Sequence, residues 1–297
     1  MKITTFILAA LLVLAAVPAL AGDQPSSSAD AEKEAIIQTA LDYSDGAYSN
    51  DPARMERAIH PDLNKLIFGR RSPAMGLASS YSTYSLLLEL LRAGRINSLE
   101  PEKRRTETAV LEIQGDVACV KVRTALWFDY LQMIKVDGKW KIINVLWTNG
   151  YDTPPEGKAV PGFDGEKERP AARTAALDFI EGRLTGDVAR LEKVLHPETN
   201  LVAYMVFAKT NKAFISRTRY SGIMEPAKAK LGLPPENARK AEVRVLDVMD
   251  GMAFAVAQTP LGTLYLQLQL MDGQWKAINI LFRPANNLVP QLQEVKK

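Results

Sequence analysis

The chain is written twice. Ala40 to Pro61 (ALDYSDGAYSNDPARMERAIHP) lies over Ala176 to Pro197 (ALDFIEGRLTGDVARLEKVLHP) at an offset of 136 positions. Leu41, Asp42, Gly46, Asp51, Arg54, Glu56, His60 and Pro61 recur as Leu177, Asp178, Gly182, Asp187, Arg190, Glu192, His196 and Pro197. Further along, DGKWKIINVLW from Asp137 recurs as DGQWKAINILF from Asp272, at an offset of 135. Two matches in the same order and at nearly the same spacing mark a tandem of related domains, and such a repeat decides the fold before any single element does. Between the copies, Tyr151 to Pro170 carries four prolines and three glycines with little apolar periodicity, a linker composition. The predicted domains are 31–150 and 171–285, joined by a linker over 151–170 and followed by a tail over 286–297.

The beginning of the chain, MKITTFILAALLVLAAVPALAGDQ, places one lysine before an apolar run, then Pro18 and the small-x-small triplet Ala19-Leu20-Ala21. This pattern predicts a cleavable export signal over 1–21 and a periplasmic or secreted protein. The run is short for a membrane span, so no membrane association is expected after cleavage. A polar, disordered leader is expected over 22–30. Cys119 is the only cysteine, which rules out an intrachain disulfide and a cysteine metal cluster. Stability must then come from the core, for which 47% hydrophobic residues suffice. The net charge of +3 is spread in mixed sign, and the densest basic block, Lys103-Arg104-Arg105, is flanked by glutamates. No nucleic-acid partner is expected.

Each copy reads as helices followed by strands. Apolar residues at helical spacing predict a first helix over 31–48. Asp51 is a suitable N-cap and Pro52 a suitable first residue for a short second helix over 52–59. A third helix is predicted over 82–92, and over 214–230 in the second copy. Strands are predicted over 107–113, 117–130 and 140–148, then 242–248, 252–258, 263–271 and 275–282, with Asp-Gly and Gly-Asp turns between them.

The only two histidines, His60 and His196, each precede a proline at equivalent positions of the two copies. They are expected to sit at the second helix's C-terminus, donating to free carbonyls, with the proline forbidding continuation. No HExxH or HxH spacing supports a metal, and neither a metal nor a cofactor is expected.

The arrangement resembles the putative lumazine-binding group of the nuclear transport factor 2-like superfamily, which includes SnoaL-like cyclases and ketosteroid isomerases. The resemblance rests on GDVA at Gly115 to Ala118, WFDYLQM at Trp127 to Met133 and DGKWKIINVLW. It covers the first copy closely and the second more loosely. It implies an α+β fold of two tandem cone-shaped domains. In each, three N-terminal helices pack on a strongly curved, mostly antiparallel sheet, with a cavity at the open end. The two domains are expected to pair as an intrachain pseudo-dimer.

Within that fold, Asp129 flanked by Trp127 and Leu131 is the candidate catalytic group, because burial raises a carboxyl pKa and suits it to acid–base work. The second copy has Leu264 there, which confines such chemistry to the first domain. Tyr43, Tyr84, Trp127, Tyr130 and Trp147 are candidates to line an aromatic pocket in the first domain, and Phe179, Tyr204, Tyr220 and Tyr265 in the second. Arg70, Arg71, Arg217 and Arg219 are candidate rim cations. Asn144 and Asn279 are expected to satisfy buried backbone. These features suggest an exported, non-catalytic protein binding a small apolar or heteroaromatic ligand, or serving as an interaction module. The alternative is a ketosteroid-isomerase-like isomerase, dehydratase or cyclase using Asp129.

Overall fold

The computed structural model describes residues 28–69, 77–96, 98–152, 162–207, 210 and 212–285. The expected export signal, the tail and the Arg70-Arg71 pair lie outside the described residues.

The first domain runs α1 (Ser28–Tyr48), α2 (Pro52–Ala58), β1 (Ile59–Gly69), β2 (Ala78–Ser82), α3 (Tyr84–Arg92), β3 (Glu107–Gln114), β4 (Val117–Arg123), β5 (Trp127–Val136) and β6 (Lys139–Asn149). The second repeats this order as α4 (Gly165–Thr185), α5 (Val188–Val194), β7 (Leu195–Phe207), β8 (Lys212–Arg219), α6 (Tyr220–Lys228), β9 (Glu242–Met249), β10 (Met252–Thr259), β11 (Gly262–Met271) and β12 (Gln274–Pro284). Helix α1 begins inside the stretch expected as a leader, and α4 inside the stretch expected as a linker.

Local chemistry explains the boundaries. The Asp51 carboxylate caps α2 by accepting from the Arg54 amide at 3.0 Å, and Asp187 caps α5 from the Arg190 amide at 3.2 Å. The repeated aspartates are therefore helix starts. The histidines play a different part from the one expected. Helix α2 ends at Ala58, and His60 already lies in β1. Its Nδ1 accepts from the Asp62 amide at 3.0 Å, and His196 Nδ1 accepts from the Glu198 amide at 3.1 Å. Each imidazole closes a small turn over its proline as an acceptor, not as a helix-capping donor.

Three further differences have physical causes. The 117–130 strand is broken in two because Thr124 Oγ1 donates to the Trp127 carbonyl at 2.8 Å and accepts from its amide at 3.1 Å. Gly150 lets that turn close, since a Cβ there would meet the Trp127 nitrogen at 2.4 Å. The helix expected over 214–230 begins only at Tyr220, because Lys212 to Arg219 pairs antiparallel with β7. Strands β1 and β7, unforeseen in the sequence, run parallel to β6 and β12.

Each domain thus has a six-stranded sheet, ordered β2-β1-β6-β5-β4-β3 and β8-β7-β12-β11-β10-β9. A bulge at Ile143 in β6 and at Ile278 in β12 shifts the pairing register at matching places. Such bulges bend a strand and wrap the sheet around its helices. One face of the first sheet, with Val120, Leu131, Met133 and Val145, packs on Ile36, Ala40, Met55 and Leu88. The equivalent face of the second packs on Phe179, Ile180 and Met224. The two outer faces pack on each other: Phe68, Phe128, Tyr130 and Leu146 meet Val202, Tyr204, Phe254 and Leu281 in a third buried core. The domains pair sheet to sheet as a pseudo-dimer.

Buried amides follow the same symmetry. Asn64 Nδ2 donates to Asn279 Oδ1 at 2.7 Å, and Asn200 Nδ2 to Asn144 Oδ1 at 3.0 Å. Asn144 Nδ2 in turn donates to Gln132 Oε1 at 2.7 Å, and Asn279 Nδ2 to Gln267 Oε1 at 2.8 Å. Asn144 and Asn279 therefore join domains, a larger role than satisfying local backbone.

Candidate functional site

Between α1, α3 and the inner face of the first sheet lies a cavity of about 450 Å³. Tyr43 of α1, Lys65 of β1, Trp127 of β5 and Trp147 of β6 contribute to its wall. Ser82, Asn149 and Arg95 add polar groups, with Arg95 exposed. Trp127 is held in place by stacking on Tyr48, with ring centroids 4.4 Å apart and planes 20° from parallel.

Asp129 does not line the cavity. It is wholly buried and acts from behind it. Lys65 Nζ donates to Asp129 Oδ1 at 3.1 Å, and the Tyr43 hydroxyl donates to the same oxygen at 2.9 Å. Lys65 also donates to the Tyr43 hydroxyl. The ammonium lies 4.5 Å from the centroid of the Trp147 ring, a cation–π contact. Asp129 Oδ2 is buried without a hydrogen-bond partner among the described residues.

The electrostatics follow from burial. Desolvation pushes the Asp129 pKa up, opposed by the Lys65 charge and by bonds from Lys65 and Tyr43. Desolvation pulls the Lys65 pKa down, opposed by Asp129. Tyr43 is pushed up by burial and then by the Asp129 charge, so it remains a neutral donor. An ammonium has three protons to donate. Among the described residues its bonds go to Tyr43 and Asp129, and the same ammonium lies in the cavity wall against the Trp147 ring.

The second domain has taken this cluster apart. In register with Tyr43, Lys65 and Asp129 stand Phe179, Leu201 and Leu264, all buried and all apolar. Phe282 stands for Trp147, and Gly262 for Trp127. The polar trio is a property of the first domain alone.

The structure brings together Tyr43, Trp127 and Trp147 of the candidate residues. The others lie elsewhere. Tyr84 lies outside the lining, donating to Glu56 Oε1 at 2.6 Å. Tyr130, Tyr204 and Tyr265 point away from the cones into the seam between domains, because neighbouring strand residues face opposite sides of a sheet. Tyr130 donates to Asp247 Oδ2 at 2.7 Å, Tyr204 to the Lys135 carbonyl at 2.6 Å and Tyr265 to Gln114 Oε1 at 2.7 Å. Burial pushes the Tyr204 pKa up to about 12. Phe179 is core. Tyr220 lines an open cleft of about 740 Å³ with Tyr81, Glu198 and Arg219. Arg217 is bound into the seam, donating to Asn200 Oδ1 at 3.0 Å and to the Asp62 carbonyl.

Lys65 was not anticipated, although the repeat carried the signal. LNKLI in the first copy faces TNLVA in the second, so a lysine stands where its copy has leucine. Among the described residues, no group of three or more His, Cys, Asp or Glu side chains is placed to hold a metal. No described helix is long and apolar enough to cross a membrane.

The family model described as putative lumazine-binding matches residues 31–148 and again 167–283. A search of the curated proteins gave no match. Solved structures similar to part of the chain include an NTF2-like protein of unknown function from Shewanella baltica, at 16% identity over 42% of this chain and 99% of that one, with a TM-score of 0.35. A putative scytalone dehydratase from Novosphingobium aromaticivorans is 16% identical over 46% of this chain and 97% of its own, with a TM-score of 0.32. A ketosteroid isomerase-like protein from Erwinia carotovora is 15% identical over 41% and 98%, with a TM-score of 0.28.

Proposed function

The chain belongs to the putative lumazine-binding family, and from that premise we propose that it is an exported protein whose first domain holds a flat heteroaromatic molecule without transforming it. The observation that carries this reading is Lys65. Its ammonium, anchored by Tyr43 and Asp129, belongs to the wall of a cavity that also carries two indole rings. Trp127 and Trp147 offer planar faces for a fused ring, and the ammonium offers a donor for a ring carbonyl. Ser82 and Asn149 add groups that fix orientation, as expected of a mostly apolar pocket with few polar contacts. Export is supported by the apolar run and small-x-small triplet at the start of the chain.

The alternative, an isomerase, dehydratase or cyclase using Asp129, draws on the raised pKa of that carboxyl. Against it stands the position of Asp129 behind Lys65 and Tyr43, outside the cavity wall. A general base must come within hydrogen-bond reach of the proton it takes.

The test is to follow tryptophan emission of the folded protein while lumazine is added. Saturable quenching that is lost in Lys65→Met supports the reading. Because Lys65→Met strands a buried carboxylate, the variant Tyr43→Phe/Lys65→Leu/Asp129→Leu, which reproduces the second domain's residues, serves as the folded control. Quenching of equal strength in that variant, or none in the parent, overturns the reading.

A further inference from the structure

The seam between the domains has two related ends, and they are finished differently. At one end Arg217 of β8 reaches out of the second domain. Its guanidinium donates to Asn200 Oδ1 at 3.0 Å and to the carbonyl of Asp62 in the first domain. The repeat supplies a counterpart for each of these residues at the other end. Tyr81 of β2 pairs with Leu66 as Arg217 pairs with Val202, and Asn64 and Glu198 stand for Asn200 and Asp62.

Tyr81 does not do what Arg217 does. Its hydroxyl turns back to its own domain, donating to the Leu63 carbonyl at 3.4 Å. Asn64 is fully buried, and its Oδ1 is the counterpart of the oxygen that Arg217 satisfies. Among the described residues that oxygen has no hydrogen-bond partner. Turning the amide over would not help, since its Nδ2 is already bonded to Asn279. At this end lies the open cleft of about 740 Å³, lined by Tyr81 from the first domain and by Pro197, Glu198, Arg219 and Tyr220 from the second. The end without the arginine carries both the cleft and the unmet acceptor.

A buried acceptor without a donor is costly. The group that meets it at the twin end is a guanidinium, a planar fork whose donors serve two acceptors at once. Tyr81 and Tyr220 bring ring faces on which such a cation stacks. Glu198 and Arg219, both exposed, bring one negative and one positive charge to the same cleft. A lone cation would be repelled by Arg219, whereas a ligand with a carboxylate as well meets both signs. We propose that the cleft binds an alkylguanidinium that also carries a carboxylate, as free arginine does. Its guanidinium enters past Tyr81 to Asn64 Oδ1 and the Glu198 carbonyl, and its carboxylate meets Arg219. Tyr81 is 44% exposed and its hydroxyl bond is long, so the ring swings aside at little cost. The site lies between the domains and is independent of the first cavity and of the ligand proposed for it.

The experiment is calorimetry on the full chain, with L-arginine as probe and L-citrulline and L-argininamide as comparisons. Arginine is expected to saturate a single site. Citrulline keeps the shape and loses the cation, and argininamide keeps the cation and loses the carboxylate. Each is expected to bind about tenfold more weakly or worse, the scale of one charge-assisted bond. Tyr81→Arg gives the cleft the residue that closes its twin. It is expected to abolish arginine binding and to raise the melting temperature, while Tyr81→Phe keeps both as in the parent. Tyr81 is exposed on an edge strand, so neither variant threatens the fold. Absence of saturable arginine binding, citrulline binding as tightly as arginine, or undiminished binding in Tyr81→Arg would each overturn the proposal. Argininamide binding as tightly as arginine would overturn it in favour of an arginine within a polypeptide. The lumazine titration reads a different cavity, so failure of one leaves the other standing.

Discussion

Gln132 and Gln267 exchange bonds across the molecule: Gln132 Nε2 donates to the Tyr265 carbonyl at 2.8 Å, and Gln267 Nε2 donates to the Tyr130 carbonyl at 2.7 Å. With Asn64, Asn144, Asn200 and Asn279 they form two matching amide chains in the buried centre of the seam. A buried polar group is cheap when satisfied and expensive when stranded. Gln132→Leu leaves both the Tyr265 carbonyl and Asn144 short of a partner. It is expected to cost about 1–3 kcal/mol in urea unfolding. A leucine replacing exposed Gln38 serves as comparison and should move stability by less than about 0.5 kcal/mol.

The buried trio of the first domain gives a prediction of opposite sign for single and combined changes. Lys65→Met alone leaves Asp129 charged or forces it to take a proton, and is expected to destabilise by about 3–5 kcal/mol. The triple variant Tyr43→Phe/Lys65→Leu/Asp129→Leu replaces the polar set with residues already packed in the second domain. Its stability is expected to equal the parent's or exceed it by up to about 4 kcal/mol. Urea unfolding of the two variants side by side checks this, and a triple variant less stable than Lys65→Met would refute it.

Acid should loosen the histidine turns. Burial lowers the pKa of His60 and His196 below the usual 6.5; Arg217 and Lys141 push His60 the same way, while Asp62 opposes. The folded protein therefore binds fewer protons at these sites than the unfolded chain. Their contribution to stability is full above about 6.5 and falls as pH drops through the lowered native values. Protonation also removes the Nδ1 lone pair that accepts from Asp62 and Glu198. His60→Asn/His196→Asn supplies a side-chain oxygen that does not titrate. The melting temperature of the double variant should fall less than the parent's between pH 7 and pH 5.

Cys119 lies in the seam, fully buried, and burial pushes its thiol pKa well up. Only the thiolate is reactive. A disulfide reagent should leave the native protein unmodified and label it at the rate at which the seam opens. Labelling within the mixing time would show that the domains separate readily.

Periodicity made much of this fold legible. The first helices, the Asp-Gly turns and the last strands of each copy stand where their patterns place them. Strands β1 and β7 escaped because they open on a His-Pro pair and pair parallel with the most distant strand, a long-range partnership that leaves no local mark. The inner face of β5 could not be told from its outer face, since Leu131 and Met133 on one side and Tyr130 and Ile134 on the other are equally apolar. Both are buried, one under helices and one under the other sheet. That ambiguity sent Tyr130, Tyr204 and Tyr265 to the cavities in the sequence reading and hid the seam's polar centre. Lys65 was visible only as a mismatch between the copies, because a charged residue opposite leucine is conspicuous in a repeat and ordinary in isolation.

Carrying both halves in one polypeptide has an evolutionary consequence. In an assembly of identical subunits, one codon change alters both halves at once, and every cavity must serve the same end. Here a mutation at Leu201 leaves Lys65 untouched, so either pocket is free to specialise by itself. The joint has no such liberty, since each of its glutamines answers to the opposite half. Divergence is open inside the cones and shut where those glutamines meet.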